Sequence, residues 1–414
     1  MKDRIKGTAA VSVIYETYQE PANTGKLSLH CDLKETEFHL SEVNVHKKQG
    51  SPSILTTNIL FNSDETVRLE AATLLGPDFQ ATAQATLSKT YAPLTITVKE
   101  FKSPGWDIGG QFIFKKKRYE AKLKGKQVDL AGLFGGNQNT TQLLTKGDAL
   151  DIDLDIDHLQ GGYEQVAKQV KARLQGVQCL ESFEWRTILA SGYLPTTPGN
   201  TYTPKEEDLC SIEWKPEGKG TKLWVRSYRA GNLLKFTNIH GDIKGGELLI
   251  AATRPNLLDV FKGKFRMKNF RVLKMPTLLK LLSAASLDIF EFFSPQEGMR
   301  FNSLSGDFST DLGNDILIHK ARARNNSIGI FLQGFIKPET DRLALQGSLV
   351  PAYMFYRILS NVPLLGDFLF GINGKGLLAT HFLITGPLNK PEVQLNPLSG
   401  FAPGFLQKQL EDPA

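Results

Sequence analysis

An alternation of apolar and polar residues with a period of two dominates the first half of this chain. Leu150, Ile152, Leu154 and Ile156 alternate with the aspartates of 151–157. Because successive side chains of a β-strand point to opposite faces, this pattern predicts strands that bury one face, and hence a mainly β fold. The apolar positions of the other clear cases are Leu27, Leu29, Cys31 and Leu33; Phe79, Ala81, Ala83, Ala85 and Leu87; and Leu94, Ile96 and Val98.

Turn-forming residues separate these runs, as at Asn62–Asp64, Gly76–Asp78 and Ser103–Gly105. Strands that follow one another every 10 to 15 residues or so are typical of antiparallel meanders. A chain of 414 residues is too long for one compact core, which indicates several domains or one elongated array. The stretch 193–208 has little pattern and several prolines, so we expect segments of 1–195 and 205–414.

Sequence motifs for metal or nucleotide binding are incomplete. A calcium loop that begins at Asp151 needs Gly at its sixth position and Glu at its twelfth, where Ile156 and Gly162 stand. A phosphate-binding loop that ends at Lys375 lacks its first glycine and the following Ser or Thr. The three cysteines lie far apart, which argues against a disulfide scaffold and a zinc site. We therefore predict no cofactor, no metal and no catalytic centre.

Charge is concentrated in blocks. Residues 99–126 contain nine basic and three acidic residues, a surplus equal to the net charge of +6 of the whole chain. Its segment Lys115–Arg118 suits contact with phosphates of nucleic acid or lipid, and equally a solvated hairpin end. A second block, 262–280, holds seven basic residues and no acid. Its Lys264, Arg266 and Lys268 alternate with other residues, which predicts one basic strand face.

Helical patterns are confined to the C-terminal part, near 276–293, 353–370 and 403–411. The first begins at a proline and places its apolar residues largely on one side. A basic strand beside such a helix suits an anionic membrane surface, although a core helix on a sheet has the same pattern. The residues predicted to contact a membrane or a partner are Lys264, Arg266, Lys268, Leu278, Leu279, Leu282, Phe290 and Phe293.

The start of the chain has no apolar run typical of a secretory signal, and no stretch of 18 apolar residues occurs. A cytosolic location, or an N-terminal targeting segment missing from this chain, are both compatible with these features.

Several short motifs of the second half occur in the order typical of one family. They are Ser227–Leu234, Ile243–Leu248, Lys274–Leu287, Gly298–Phe301, Gly347–Tyr353, Val362–Gly366, Gly374–Leu377, Gly386–Pro387, Pro391–Val393 and Leu395–Leu406. Residues 205–410 thereby resemble the C-terminal domain of bacterial AsmA-like proteins, in particular the YhdP-like branch. The first two of these motifs together resemble a strand-turn-strand element of that family.

The resemblance implies an elongated antiparallel β groove with an apolar inner face and two or three short amphipathic helices near the C-terminus. It also implies a non-catalytic protein of the periplasm, associated with the inner membrane, that carries phospholipid towards the outer membrane. The family's N-terminal membrane helix is absent, so an inner-membrane anchor protein is an expected partner, alongside phospholipid and the membrane surface. Nucleic acid is not expected.

An apolar trough holds acyl chains without polar contacts, because each CH2 gains about 0.8 kcal/mol on leaving water. The alternating strands supply such a face. The residues predicted to line the groove are Leu94, Ile96, Val98, Leu150, Ile152, Leu154 and Ile156. An assembly or scaffold factor for outer-membrane proteins, binding through exposed strand edges, is the alternative function.

Overall fold

The computed structural model of the chain is mainly β, and strands make up 71% of the residues that it describes. Those residues are 5–18, 24–40, 43–130, 146–179, 183–196, 202–256, 259–273, 297–310, 315–338, 340–351, 380–388 and 390–395. The predicted mainly β fold is thus confirmed. The three segments predicted to be helical, near 276–293, 353–370 and 403–411, lie outside the described residues.

The chain divides into two compact units. The N-terminal unit comprises Met1–Pro204 with Lys235–Ile239, and the C-terminal unit comprises Lys205–Leu234 with His240–Ala414. Each unit is built around a sheet in which consecutive strands are mostly neighbours, so the order of strands in the sheet follows the order of the chain.

The N-terminal unit has a main sheet of eleven strands in the order β2, β3, β6 to β14. A separate sheet has the order β1, β4, β5. The strands are β1 Ile5–Gly7, β2 Ala10–Tyr18, β3 Thr24–Asp32, β4 Thr36–Leu40, β5 Val45–Lys47, β6 Ile54–Phe61, β7 Val67–Leu75, β8 Gln80–Leu87, β9 Pro93–Ser103, β10 Trp106–Lys115, β11 Arg118–Asp129, β12 Ala149–Gln160, β13 Val166–Gln178 and β14 Phe183–Tyr193.

One pair in this sheet departs from the antiparallel arrangement that the sequence predicts. Strands β11 and β12 run parallel, with Ala121 opposite Ile152 and Leu123 opposite Leu154. Alternation predicts which face a side chain occupies but carries no information on strand direction, so this feature was not foreseen. The connection between the two strands, residues 130–148, is long enough for the crossover that a parallel pair requires.

The small sheet packs through a compact apolar cluster. Phe38 and Val45 are buried together with Phe79, and the two phenylalanine rings meet edge to face at 5.5 Å between centroids. The ammonium of Lys47 is buried beside this cluster and donates hydrogen bonds to the carbonyl oxygens of Lys34, Thr36 and Lys48 at 2.6–3.1 Å. These bonds satisfy a buried charge with backbone acceptors, as burial of a charge requires.

The C-terminal unit is an antiparallel meander of ten strands, β15 to β24. Between β16 and β17 the chain forms one helix, α1, of which residues 230–234 belong to this unit. The elements are β15 Leu209–Glu217, β16 Gly220–Ser227, α1 Ala230–Phe236, β17 Ile243–Arg254, β18 Lys262–Val272, β19 Met299–Thr310, β20 Ile316–Arg324, β21 Ile328–Lys337, β22 Arg342–Pro351, β23 Thr380–Pro387 and β24 Glu392–Leu395.

Helix α1 corrects the strand-turn-strand interpretation of 227–248. Between β16 and β17 the chain forms seven residues of helix, whose Ala230 is fully buried in the apolar cluster of this unit. The helix is too short to show a 3.6-residue period, so the pattern could not distinguish it from a turn.

The C-terminal unit contains a large apolar cluster. Met267, Phe270, Met299 and Phe301 are all buried, and the rings of Phe270 and Phe301 stack with centroids 5.3 Å apart. The other buried members are Ala230, Ala323, Ile328, Ile330, Leu349 and Phe382. Close packing of this kind stabilises a sheet face well beyond what half-exposed side chains provide.

Three aromatic rings of this unit lie over glycines on the neighbouring strand. The directly opposed pairs are Gly263 with Phe308, Phe265 with Gly306, and Gly347 with Phe382. A Cβ added to Gly306 or Gly347 would come within 2.6 Å of the Cζ atom of the opposing ring. The glycines therefore make room for the rings on the strand surface.

Candidate functional site

The main sheet of the N-terminal unit carries an uninterrupted apolar row across all eleven strands. Each residue of this row is directly opposite the next on the adjacent strand. The row, from β2 to β14, is Tyr15, Leu27, Ile59, Leu69, Ala85, Ile96, Phe112, Ala121, Ile152, Leu174 and Ile188. One face of the sheet is therefore apolar along the whole width of the unit.

The structure places most of the predicted groove-lining residues on this face. Ile96 and Ile152 belong to the row itself. Val98 and Leu154 belong to the adjacent row, in which Gly110 of β10 and Leu123 of β11 lie between them.

The remaining groove-lining residues differ in exposure. Leu150 lies opposite Tyr119 and is half-buried. Leu94, near the start of β9, is exposed, whereas Ile156 is 2% exposed and lies between Gly125 and Val170.

Most of the apolar row is half-buried rather than covered. Ile96, Phe112, Ile152, Leu174 and Ile188 all retain partial exposure, although they stand in the middle of strands. Among the described elements, the extensive contacts of β8 to β14 are with their sheet neighbours. Apolar side chains that stay partly exposed over such a width form a patch able to accept an apolar ligand.

The opposite face of this sheet carries matched charges. The basic strand β11 lies beside the acidic strand β12, so that Lys122 is opposite Asp153 and Lys124 is opposite Asp155. Arg118 forms an ion pair with Asp151 at 3.1 Å. On their other side, Asp153 and Asp155 lie opposite Arg173 and Lys171 of β13. The surplus of +6 in residues 99–126 is thus partly offset by a neighbouring strand that the sequence places far away. Lys116 and Lys117 form the two-residue turn of the β10–β11 hairpin.

The C-terminal unit has a basic face without such balance. Lys264, Arg266 and Lys268, predicted as contact residues, are all exposed on one face of β18. Strand β20 contributes Lys320, Arg322 and Arg324, which are also exposed. The alternation Lys-Ala-Arg-Ala-Arg of 320–324 could have revealed this second strand, but the sequence does not show that both flank β19. The predicted contact residues Leu278, Leu279, Leu282, Phe290 and Phe293 lie outside the described residues.

The C-terminal unit also buries polar side chains on β22 and β23. Ser348 Oγ lies 2.9 Å from His381 Nδ1, and burial lowers the pKa of His381 below its usual value of 6.5. Gln346 is 3% exposed, and its Oε1 atom has no hydrogen-bond partner. An unpaired buried acceptor of this kind is destabilising.

The cysteines do not form disulfides, and burial raises the pKa of Cys210 to about 11. Within the described part of the chain, no group of three or more His, Cys, Asp or Glu side chains is arranged to hold a metal ion.

Across those same residues, we find no helix with the length and apolarity needed to cross a membrane. No protein-family model matches the chain, and no curated protein and no solved structure matches it either.

Proposed function

We propose that the N-terminal unit binds phospholipid acyl chains on the apolar face of its main sheet, and that the protein supports lipid transport between the inner and outer membranes of a bacterial envelope. The observation that carries this proposal is the apolar row of eleven directly opposed residues, most of them half-buried. The resemblance of residues 205–410 to AsmA-like proteins supports the envelope setting and the groove-like curvature of such a sheet.

The energetics favour a flexible, apolar ligand. An acyl chain that lies across the row is stabilised by about 0.8 kcal/mol for each CH2 that leaves water, and it needs no polar partner on the sheet. The Ile, Leu, Phe and Ala side chains of the row can contact any part of the acyl chain, so the row does not select a particular position along the lipid. The matched charges of the opposite face keep that face solvated, so the two faces have separate roles.

The first experiment measures lipid that accompanies the purified protein. Native mass spectrometry after gentle extraction is expected to show bound phospholipid. The double substitution Ile152→Asp with Leu154→Asp should remove most of it, because two carboxylates would enter the apolar row and its neighbour. The control, Thr95→Asp with Thr97→Asp, adds the same charge to the polar face of β9 and should leave lipid loading unchanged.

Two results would contradict the proposal. One is a wild-type protein that carries no phospholipid under these conditions. The other is equal loading of both double variants, with circular dichroism showing that each is folded, since the apolar row would then not be the binding surface.

A second candidate function, assembly of outer-membrane proteins, is favoured by strand β2. In the described part of the chain β2 pairs only with β3, and Val11, Val13, Ile14 and Tyr15 are each more than half exposed. The strand has no Pro, Lys or Arg, the residues that commonly protect an edge. Such an edge can accept an additional strand.

A photo-crosslinker at Ser12, on this edge strand, separates the two functions in cells. Crosslinks to β-barrel proteins would favour the assembly role, whereas their absence together with lipid loading would leave the lipid-binding role alone.

A further inference from the structure

The outward face of the C-terminal unit contains two rows of the same composition. Each has a cation on β18, a serine on β19 and a cation on β20, all directly opposed. The rows are Arg266–Ser305–Arg322 and Lys268–Ser303–Arg324. Neighbouring strands are about 4.8 Å apart, so the backbones that carry the two cations are separated by roughly 10 Å. Side chains of this length can close on one phosphate from both sides, with the serine hydroxyl as a further donor.

The next row shows what a balanced version looks like. There Asp307 stands where the other rows have serine, and it forms ion pairs with Lys264 at 3.9 Å and with Lys320 at 3.6 Å. In contrast, no carboxylate of the described residues forms an ion pair with the four cations of the two serine rows. Their other contacts are weaker than ion pairs: Glu247 lies opposite Lys268, Arg324 Nε donates a hydrogen bond to Ser303 Oγ at 3.1 Å, and the Arg322 guanidinium lies over the Phe331 ring at 5.0 Å. An external anion can therefore still bind these four positive charges.

The whole face is strongly basic. Strands β16 to β20 present nine cations on it and two carboxylates, Glu247 and Asp307. At one edge of the face, β15 adds Glu213 opposite Trp224, and Glu217 forms an ion pair with Lys222 at 3.0 Å. The nine cations are Lys222, Arg226, Lys262, Lys264, Arg266, Lys268, Lys320, Arg322 and Arg324. A surplus of this size attracts a polyanion rather than one small acid.

Two large apolar side chains project from the same face. Trp224 is 39% exposed and Leu249 is 38% exposed. Leu249 stands between Arg226 and Arg266 in one row. Trp224 lines an open cleft of about 470 Å³ together with Lys262 and Lys264. Tryptophan and leucine among cations are typical of surfaces that enter the headgroup region of a bilayer, where one end of the contact is apolar and the other is charged.

We propose that this face docks on a membrane surface that contains anionic phospholipids, with headgroup phosphates held in the two serine rows and Trp224 and Leu249 inserted at the level of the headgroups. The docking function goes beyond the binding of acyl chains by the N-terminal unit and does not depend on it. A nucleic acid is a less suitable partner, because the exposed Leu249 has no base or phosphate contact to make at the centre of the cationic rows.

The test uses the full chain and large unilamellar vesicles. Vesicles of phosphatidylcholine with about a third phosphatidylglycerol are expected to sediment the protein at low salt, and vesicles of phosphatidylcholine alone are not. Higher salt should weaken the binding, because screening shortens the range of the attraction.

Charge-matched variants locate the surface. The double substitution Arg266→Gln with Arg322→Gln should lower the vesicle affinity about 30-fold, as expected for two cations near an anionic surface. The control, Lys122→Gln with Lys124→Gln, changes the net charge equally on the balanced face of the N-terminal unit and should change the affinity less than about threefold. Both doubles alter exposed side chains, and thermal unfolding monitored by circular dichroism verifies that they fold.

A spectroscopic arm tests the apolar contact. Brominated phosphatidylglycerol should quench part of the tryptophan fluorescence, and that part should disappear in Trp224→Phe but persist in Trp185→Phe, a matched change in the N-terminal unit.

The proposal is overturned if the two charge doubles bind equally well or equally poorly, or if pure phosphatidylcholine vesicles bind as tightly as anionic ones. It is also overturned if duplex DNA or RNA binds the protein more tightly than anionic vesicles, or if inorganic phosphate binds and vesicles do not. Loss of lipid in Ile152→Asp with Leu154→Asp, without loss of vesicle binding, would separate this surface from the acyl-chain site.

Discussion

The two units are built from the same pattern and use it differently. In both, apolar side chains line one face of the sheet, and the opposite face is polar. In the N-terminal unit the apolar row stays half-buried, and on the polar face the aspartates of β12 lie between cations of β11 and β13. In the C-terminal unit Met267, Phe270, Met299 and Phe301 are buried, and the polar face is left basic. Strand alternation therefore fixes which face is apolar, but not whether that face becomes a core or a binding surface.

The largest expected difference concerns the two apolar faces. Phe301→Ala should lower the free energy of unfolding by about 3–5 kcal/mol, because it removes a stacked ring from a packed cluster. The same change at Phe112, half-buried in the row of the N-terminal unit, should cost only about 1–2 kcal/mol. Urea denaturation of both variants measures the contrast. Equal losses would show that the N-terminal face is as tightly packed as the C-terminal cluster.

A second pair of variants should change stability in opposite directions. Gln346→Met removes a buried acceptor that lacks a partner, and we expect a gain of about 1 kcal/mol. Gln175→Met in the N-terminal unit removes the hydrogen bond from Gln175 Nε2 to Asp151 Oδ2, which is 2.9 Å long, and we expect a loss of about 1 kcal/mol. Thermal unfolding of the two variants provides the measurement. A loss in both would mean that Gln346 Oε1 is satisfied in solution.

The two polar faces should respond differently to loss of one arginine. Arg173, whose side chain is 54% exposed, lies 3.7 Å from Asp151 in an ion pair, so Arg173→Gln should lower the free energy of unfolding by about 0.2–1 kcal/mol at low salt. Arg266 lies opposite Leu249 and Ser305 and forms no ion pair among the described residues, so Arg266→Gln should leave the free energy of unfolding unchanged or raise it slightly. Both effects should fade as salt is added. A clear loss in Arg266→Gln would indicate an internal anion partner.

The smallest effect concerns pH and is expected in the C-terminal unit only. Because the folded protein lowers the pKa of His381 below 6.5, the unfolded chain takes up a proton first as the pH falls. This contribution to stability is present above pH 6.5 and is lost as the pH drops through the lowered pKa. Denaturation midpoints between neutral and mildly acidic pH should show a decline that is smaller in His381→Gln. An identical decline in the variant would assign it to other groups.

The sequence was sufficient to predict strands and faces in the first half. Ile96, Val98, Ile152 and Leu154 share one face, as their alternation requires, because a period of two determines the side of a strand. The sequence does not predict which strands lie next to each other. The aspartates of 151–157 and the lysines of β11 stand 30 residues or so apart in the chain, and nothing in either segment specifies their parallel pairing.

The basic face shows the same limit. Lys264, Arg266 and Lys268 were recognisable as one strand face, yet the serine rows depend on the register of three strands, which only the structure supplies. Trp224 had no signal of its own, since a single exposed tryptophan on a strand looks like a core residue until its neighbours are known. Short helices such as α1 are similarly invisible to periodicity.

The rings that lie over glycines offer a spectroscopic report on the C-terminal sheet. At Gly263, Gly306 and Gly347, an atom of the opposing phenylalanine ring lies 2.6–2.7 Å from the position that a Cβ would take, so the α-protons lie close to the ring. Ring currents should move these proton resonances upfield, to a region of the spectrum where glycine signals are otherwise rare. Each such resonance would report on the contact between one glycine and one ring. A ligand, a bilayer or a denaturant that moves one of these rings away from its glycine would change the chemical shift of that glycine's α-protons.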